Sequence, residues 1–327
     1  MDMNNPKVTV LMPAYNAGKY IREAISSVLG QSFTDFELLI VNDGSTDDTV
    51  NIIHSFGDAR IVLINQDNRG VARALNLGLS YARAPYVARF DADDVCYPNR
   101  LKIQYEFITA YPEYSIIGSA VDYADADGHH IFTHHPEGHL NEEIQQLKYN
   151  ICPFIHSSVL YKKEVIINNG GYNEHAYTYE DHFLWVNILN NQKACNLSQP
   201  LIKVRLSPGS VSIDGKWHKR QFRSIKYATL KKISITESEG AELYRISEKH
   251  YSSKIKEGAY YALCGKKFLL NNYQPERARA NVAMAITLNP FRLDNYLLYV
   301  ISYFPGRLIT WLHNSMSGDQ TKKMQQS

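Results

Sequence analysis

"PYVARFDADD", residues 85–94, is an apolar run that ends in three carboxylates, Asp91, Asp93 and Asp94. Asp94 alone has an ordinary explanation: Asp forms turns and caps helices, and the following "PNRLKIQYEF" reads as a helix that Asp94 could start. Two further aspartates at the same strand end repel one another and raise each other's pKa unless a cation or a set of N–H donors neutralises them. A D-x-D at a strand end therefore suits a hard divalent cation, Mg2+ or Mn2+, which prefers carboxylate oxygen. Such a short motif takes its meaning from context.

The context is a β/α alternation. "KVTVLMPAY" reads as a strand, "YIREAISSVLGQ" as a helix, "FELLIVNDG" as a strand, "DDTVNIIHSF" as a helix, "RIVLINQ" as a strand and "VARALNLGLSYA" as a helix leading into "PYVARFDAD". Continuous apolar strands between amphipathic helices predict an α/β fold with a parallel sheet covered on both faces. In such sheets ligands bind beyond the carboxyl ends of the strands. Three polar clusters fall at those ends: "PAYN" (Pro13, Tyr15, Asn16), "NDGS" (Asn42, Asp43, Ser45) and "DADD". They predict one binding rim, and without a G-x-G-x-x-G it is not a dinucleotide fingerprint.

In order and spacing, "VTVLMPAYNAGKYIREAISSVLGQSF", "LLIVNDGSTDDT", "NRGVARALNLGLSYARAPYVARFDADD", "GGYNE" and "YEDHFLW" resemble the family 2 inverting glycosyltransferases of GT-A fold, over about residues 7–212. The resemblance implies a Rossmann-like, mostly parallel sheet with helices on both faces. It implies transfer of a sugar from a nucleotide-diphosphate donor, UDP-linked by expectation, to a hydroxyl of a surface-glycan precursor. It places Pro13, Tyr15 and Asp43 on the nucleoside, Asp91 and Asp93 on the ribose and the metal that bridges the donor diphosphate, and Asp181 as the base; Asn16 and Ala92, within the same motifs, are expected in the nucleotide-sugar site. Arg205 stands where the family often has an Arg, but Ser207 replaces the His two residues later.

The residue types suit that chemistry in their own right. Breaking the anomeric C–O bond leaves extra negative charge on the diphosphate, which a cation held by Asp93 would absorb. Asp43 can accept an N–H from the base edge while Tyr15 packs on its ring, and Arg73 and Asn76 are placed to reach the nucleotide side. Arg205 offers bidentate phosphate geometry. Displacement at the anomeric carbon needs a carboxylate to take the acceptor's proton. Asp181 supplies it, and Glu180, His156 and Trp185 are expected on the acceptor side. The competing readings are a surface ion pair for Arg73, dipole-complementing capping for Glu180 and Asp181, and a structural role for His156. The five histidines of "DADGHHIFTHHPEGH" read as solvated around a turn at Asp127-Gly128.

With 327 residues, 44% of them hydrophobic, the chain can bury a full core plus an appendage. Its four cysteines form no C-x-x-C pair, which disfavours zinc and disulfide frameworks and suits a reducing compartment, the cytoplasm. No secretory signal is expected from "MDMNNPKVTV". The expected division is a catalytic domain over 1–213 and a helical region over 214–327. The second part carries 19 Lys/Arg against 9 Asp/Glu, the first 16 against 24. A basic tail points to an anionic membrane surface rather than nucleic acid, or to a solvated helical face. "YLLYVISYFPGRLITWL" is broken by Pro305 and Arg307, too short to span a bilayer. Its Tyr299, Tyr303, Phe304 and Trp311 suit headgroup depth or a packed protein interface. A dehalogenase-type phosphatase would carry its D-x-D on the first strand, not the fourth. A calcium loop fails at Val95 and Tyr97. The non-enzymatic alternative is a nucleotide-sugar-binding scaffold.

Overall fold

The structure, a computed structural model, describes residues 5–210, 220–247 and 253–309. Strands β1 (Val8–Ala14), β2 (Phe36–Asp43), β3 (Ile61–Gln66) and β4 (Tyr86–Arg89) are the apolar runs, connected in turn by helices α1 (Ile21–Leu29), α2 (Thr49–His54) and α3 (Val71–Tyr81). All of β2 is buried, and β1 is buried except at Pro13. Such runs are stable only with cover on both faces. The four strands are parallel in the order β3-β2-β1-β4, with Ala14 beside Asn42, Asp43 beside Gln66 and Leu11 beside Arg89. Parallel strands share a direction, so their polar C-terminal ends stand in a row.

Beyond β4 the sheet becomes antiparallel through β8 (Leu160–Lys162) and β6 (Tyr114–Ala124), and it ends with β9 (Lys193–Arg205) and β5 (Val95–Cys96). Strand β7 (His130–His134) pairs with β6. The α/β class with additional C-terminal helices is the one expected. One local expectation fails. Helix α4 (Arg100–Ala110) starts after Asn99, not at Asp94, because the chain first runs through β5. Asp94 is buried, and its Oδ1 accepts the Arg205 backbone N–H at 2.9 Å.

Helix α3 lies against β1 and β2 over Gly78. A Cβ there would overlap Leu11 Cδ1 and come within 3.2 Å of Val41 Cγ2. Gly78→Ala is therefore expected to destabilise by about 1–3 kcal/mol, the usual cost of overpacking a core, even though Ala favours a helix. Urea denaturation should show a lower midpoint with an unchanged slope.

By packing, the described chain falls into two units, one of 5–122, 133–205 and 220–247, the other of 123–132, 206–210 and 253–309. The boundary expected between 213 and 214 lies outside the described residues. The first unit includes α5 (Asn141–Leu147), α6 (Lys163–Asn168), α7 (Glu180–Ile188), α8 (Arg220–Lys232) and α9 (Glu237–Ser247). Phe222, Leu230 and Leu243 of α8 and α9 are buried with Phe183 of α7 and with Tyr179 just before it. The second unit is built on α10 (Ser253–Leu270), α11 (Pro275–Leu288) and α12 (Leu293–Ile301), with Cys264, Phe268, Ala278 and Ile309 in its core. Among the described residues no helix is long and apolar enough to cross a membrane.

Candidate active site

The rim begins where β1 and β2 end. Tyr15 is half-exposed there, beside the half-buried Pro13. Asn16 adopts φ +48 and stitches the first two loops together: its N–H donates to Ser45 Oγ at 3.0 Å, and its Oδ1 accepts the Thr46 N–H at 2.8 Å. Asn tolerates this left-handed backbone better than most residues. Asp43 is buried at the end of β2, where its carboxylate accepts Gln66 Nε2 at 2.6 Å and the backbone N–H groups of Arg69 and Gly70 at 2.8 and 2.9 Å. Those donors fix the "NRG" turn and offset the cost of burying the charge. Each carboxylate oxygen can accept more than one hydrogen bond, so Oδ2 keeps capacity for a ligand.

At the end of β4 the three aspartates converge, with one carboxylate oxygen from each of Asp91, Asp93 and Asp94 all lying within 4.8 Å of one another. Arg89, buried beneath them, pairs with Asp91. Among the described residues Asp93 has no ion pair; burial first and the Asp91 charge second push its carboxyl up to about 6, against the opposing charges of Arg89 and Arg205. Burial and both neighbours also raise Asp94 well above the ordinary carboxylate range. Arg89 pairs with one of the three carboxylates, and Arg205, whose charge also acts on Asp93, is itself paired with Glu23, so an added hard cation would offset the crowding that remains. The oxygen-only donor set fits Mg2+ or Mn2+.

Arg205, at the end of β9, is buried and committed. Its Nη2 donates to Glu23 Oε2 at 2.6 Å, its Nε to the Asp93 carbonyl at 3.1 Å, and its guanidinium lies over the Tyr20 ring at 4.7 Å. It braces the acidic cluster from below. Two other residues expected on the nucleotide side also hold protein partners. Arg73 pairs with Glu174 at 2.5 Å, and the pair is roughly half-exposed. The Asn76 carboxamide accepts the Tyr172 N–H at 2.8 Å and donates to the Tyr172 carbonyl at 2.8 Å. Through these bonds α3 anchors the "GGYNE" loop, and Gly171 is required there: it has φ +71, and a Cβ would stand 2.6 Å from Asn76 Oδ1.

That loop leads into α7, whose first turn carries Glu180 and Asp181. The Asp181 Oδ1 accepts the His182 N–H at 2.6 Å, and the Cys152 thiol donates to its Oδ2 at 3.6 Å. Burial, then the Asp181 charge, pushes Glu180 up to about 7, and the charges of Arg89 and Asp91 also act on it. Glu180, in the first turn of α7, thus stands near enough to the end of β4 for the Asp91 charge to act on it. His156 Nε2 is 2.9 Å from the Tyr172 hydroxyl, and burial holds the ring neutral, well below the usual imidazole range.

Trp185 departs from its expected place on the acceptor side. It is 0% exposed, packed edge-on against Phe154 and His156, because α7 is buried on nearly every face. Conversely, sequence reasoning passed over Arg89, Glu23 and Cys152. Arg89 had a signal, since it directly precedes the acidic motif; Glu23 and Cys152 lie 182 and 29 positions from their partners Arg205 and Asp181 and had none.

The site is a row of parallel strand ends that carries an acidic cluster. A model of "Glycosyl transferase family 2" matches residues 9–170. The putative glycosyltransferase EpsE of Bacillus subtilis (strain 168) is 32% identical over 212 residues, 62% of this chain and 74% of EpsE. The amylovoran biosynthesis glycosyltransferase AmsE of Erwinia amylovora is 29% identical over 216 residues, 64% of this chain and 80% of AmsE. Among solved structures, S. aureus TarS 1–349 in complex with UDP-GlcNAc superimposes with a TM-score of 0.54 at 17% identity, covering 95% of this chain and 92% of that one. The chain belongs to glycosyl transferase family 2.

Proposed function

We propose that the protein is an inverting glycosyltransferase that moves a sugar from a UDP-linked donor to a hydroxyl of a glycan or lipid-linked glycan precursor, working at the cytoplasmic face of an anionic membrane. The observation that carries this reading is the convergence of Asp91, Asp93 and Asp94 at the end of β4, near enough to α7 for the Asp91 charge to act on Glu180. The TarS complex with UDP-GlcNAc supports the donor, and the amylovoran assignment of AmsE supports the acceptor class.

In this mechanism Tyr15 stacks on the base and Asp43, held rigid by the turn after β3, accepts its N–H. Asp91 and Asp93 would hold Mg2+ or Mn2+, which when bound supplies charge neutralisation to the departing diphosphate. Arg89 pairs with Asp91 and holds it in place. Asp181 takes the acceptor hydroxyl's proton as that oxygen attacks the anomeric carbon. Its carboxylate is aimed by the His182 N–H and the Cys152 thiol, which leave lone pairs free. A single displacement opposite the leaving group inverts the anomeric centre.

The test is to incubate the protein with UDP-, GDP- and dTDP-sugars, with Mn2+ or with EDTA, and to follow released nucleoside diphosphate. Release from a UDP-sugar, abolished by EDTA, is expected. Binding of donor with no release, even with extracts of glycan precursor present, would instead support a scaffold.

A further inference from the structure

We propose that α12 and the turn after it form the element that seats this chain on an anionic lipid surface, with Phe291, Leu293, Tyr296, Leu297, Val300 and Phe304 entering the headgroup layer. This deepens the membrane partner proposed above and names the surface responsible.

The helix is turned the wrong way for a water-soluble packing role. Its apolar residues at 293, 296, 297 and 300 follow the 3.6-residue period and stand outward, with Leu293 79% exposed and Leu297 63% exposed; Phe291 before it is 91% exposed, and Phe304 in the turn after it is exposed too. The buried side carries Asn295 and Ser302 beside Leu298 and Ile301. Residues scattered singly would need no explanation, whereas a contiguous stripe of this length marks an interaction surface.

Charge decides between lipid and a second copy of this chain as the occupant. Arg279 lies over the Tyr303 ring at 4.8 Å and donates to the Ser302 carbonyl at 3.1 Å, which places a guanidinium at the stripe's edge. Arg307 is exposed one turn beyond Phe304, and Arg292 sits at the helix start, paired with Asp294 at 3.0 Å. Residues 249–327 carry 11 Lys/Arg against 4 Asp/Glu. A two-fold contact between copies would set this basic rim against itself, because a two-fold interface uses the same patch on both partners. Lipid phosphate complements it, and tyrosines with wet hydroxyls and apolar rings suit that depth. The sequence pointed to Tyr299 as part of the outward set; in the structure it is only partly exposed. Trp311, also in that set, lies outside the described residues.

The experiment is co-sedimentation of the full chain with phosphatidylglycerol–phosphatidylcholine vesicles and with pure phosphatidylcholine vesicles, alongside light scattering for oligomeric state. Leu293→Ser with Leu297→Ser removes exposed groups, so circular dichroism should be unchanged; Arg307→Glu tests the rim separately. Binding is expected to the anionic vesicles only, reduced about tenfold or more by either variant. No binding by the wild type, equal binding to neutral vesicles, or a wild-type dimer that the double variant splits would each overturn the proposal. Nucleoside diphosphate release from soluble donor should be the same in all variants. Its absence would count against the proposed activity and leave the surface assignment standing.

Discussion

Asp93→Ala is expected to abolish metal-dependent donor binding while leaving the fold intact. The three aspartates at the end of β4 do different work, and their environments separate them. Asp93 is crowded by like charge and burial, which already push its carboxyl up to about 6, so its removal relieves repulsion. Asp94 is buried with its Oδ1 on the Arg205 N–H, so Asp94→Ala should cost about 1–3 kcal/mol of stability by orphaning that donor. In the wild type, Mn2+ with UDP at a hundredfold excess over Kd should stabilise the folded state by about 2.7 kcal/mol, visible as a rise in Tm. Asp93→Ala should melt near the wild type alone and lose the ligand-induced rise. Calorimetric donor affinity that stays the same in Asp93→Ala, and the same with EDTA, would remove Asp93 from the metal site.

The contrast between Asp93 and Asp94 also shows where sequence reading reaches its limit. The first four strands were legible because each is an unbroken apolar run flanked by a helical period, and burial on both faces imposes that pattern. Their polar ends were legible for the same reason, since a parallel sheet aligns them. Strand β5 was not: two residues carry no period, and the strand exists only because Val95 and Cys96 pair with Lys203 and Ile202 more than 100 positions away. Asp94 consequently reads as a helix cap in the sequence and is a buried brace in the structure.

Side-chain commitments were hidden in a similar way. Nothing near Asn76 indicates that its carboxamide is bound to Tyr172, 96 residues on, or that Arg205 reaches Glu23. Both have the polar character of a ligand-binding residue, and composition cannot distinguish a group aimed at a ligand from one aimed at a loop. Trp185 shows the converse. Helix α7 is apolar on most faces, so no amphipathic stripe indicates which side meets solvent, and the whole indole lies in the core. For α12 the sequence showed only a broken apolar stretch, and the outward side could be assigned only after the packing of Leu298 and Ile301 fixed the helix's rotation.

Asp181→Asn is expected to lower transfer by a factor of about 100 or more, the scale of losing a general base, with donor affinity nearly unchanged. The carboxamide is almost isosteric, and its geometry should survive. Its oxygen can keep the His182 N–H now bound at 2.6 Å, while its NH2 turns toward Cys152 Sγ, a weak acceptor, in place of the present thiol-to-carboxylate contact at 3.6 Å. What is lost is the capacity to take a proton, so the deficit should fall on kcat and leave the Kd for UDP untouched. Glu180 provides the internal control. Burial and the Asp181 charge raise its carboxyl to about 7, so near neutral pH it is substantially protonated already. Glu180→Gln imitates that protonated form and should reduce transfer less than Asp181→Asn. If the two variants lose activity equally, or if Asp181→Asn transfers at the wild-type rate, the proton acceptor lies elsewhere on this rim.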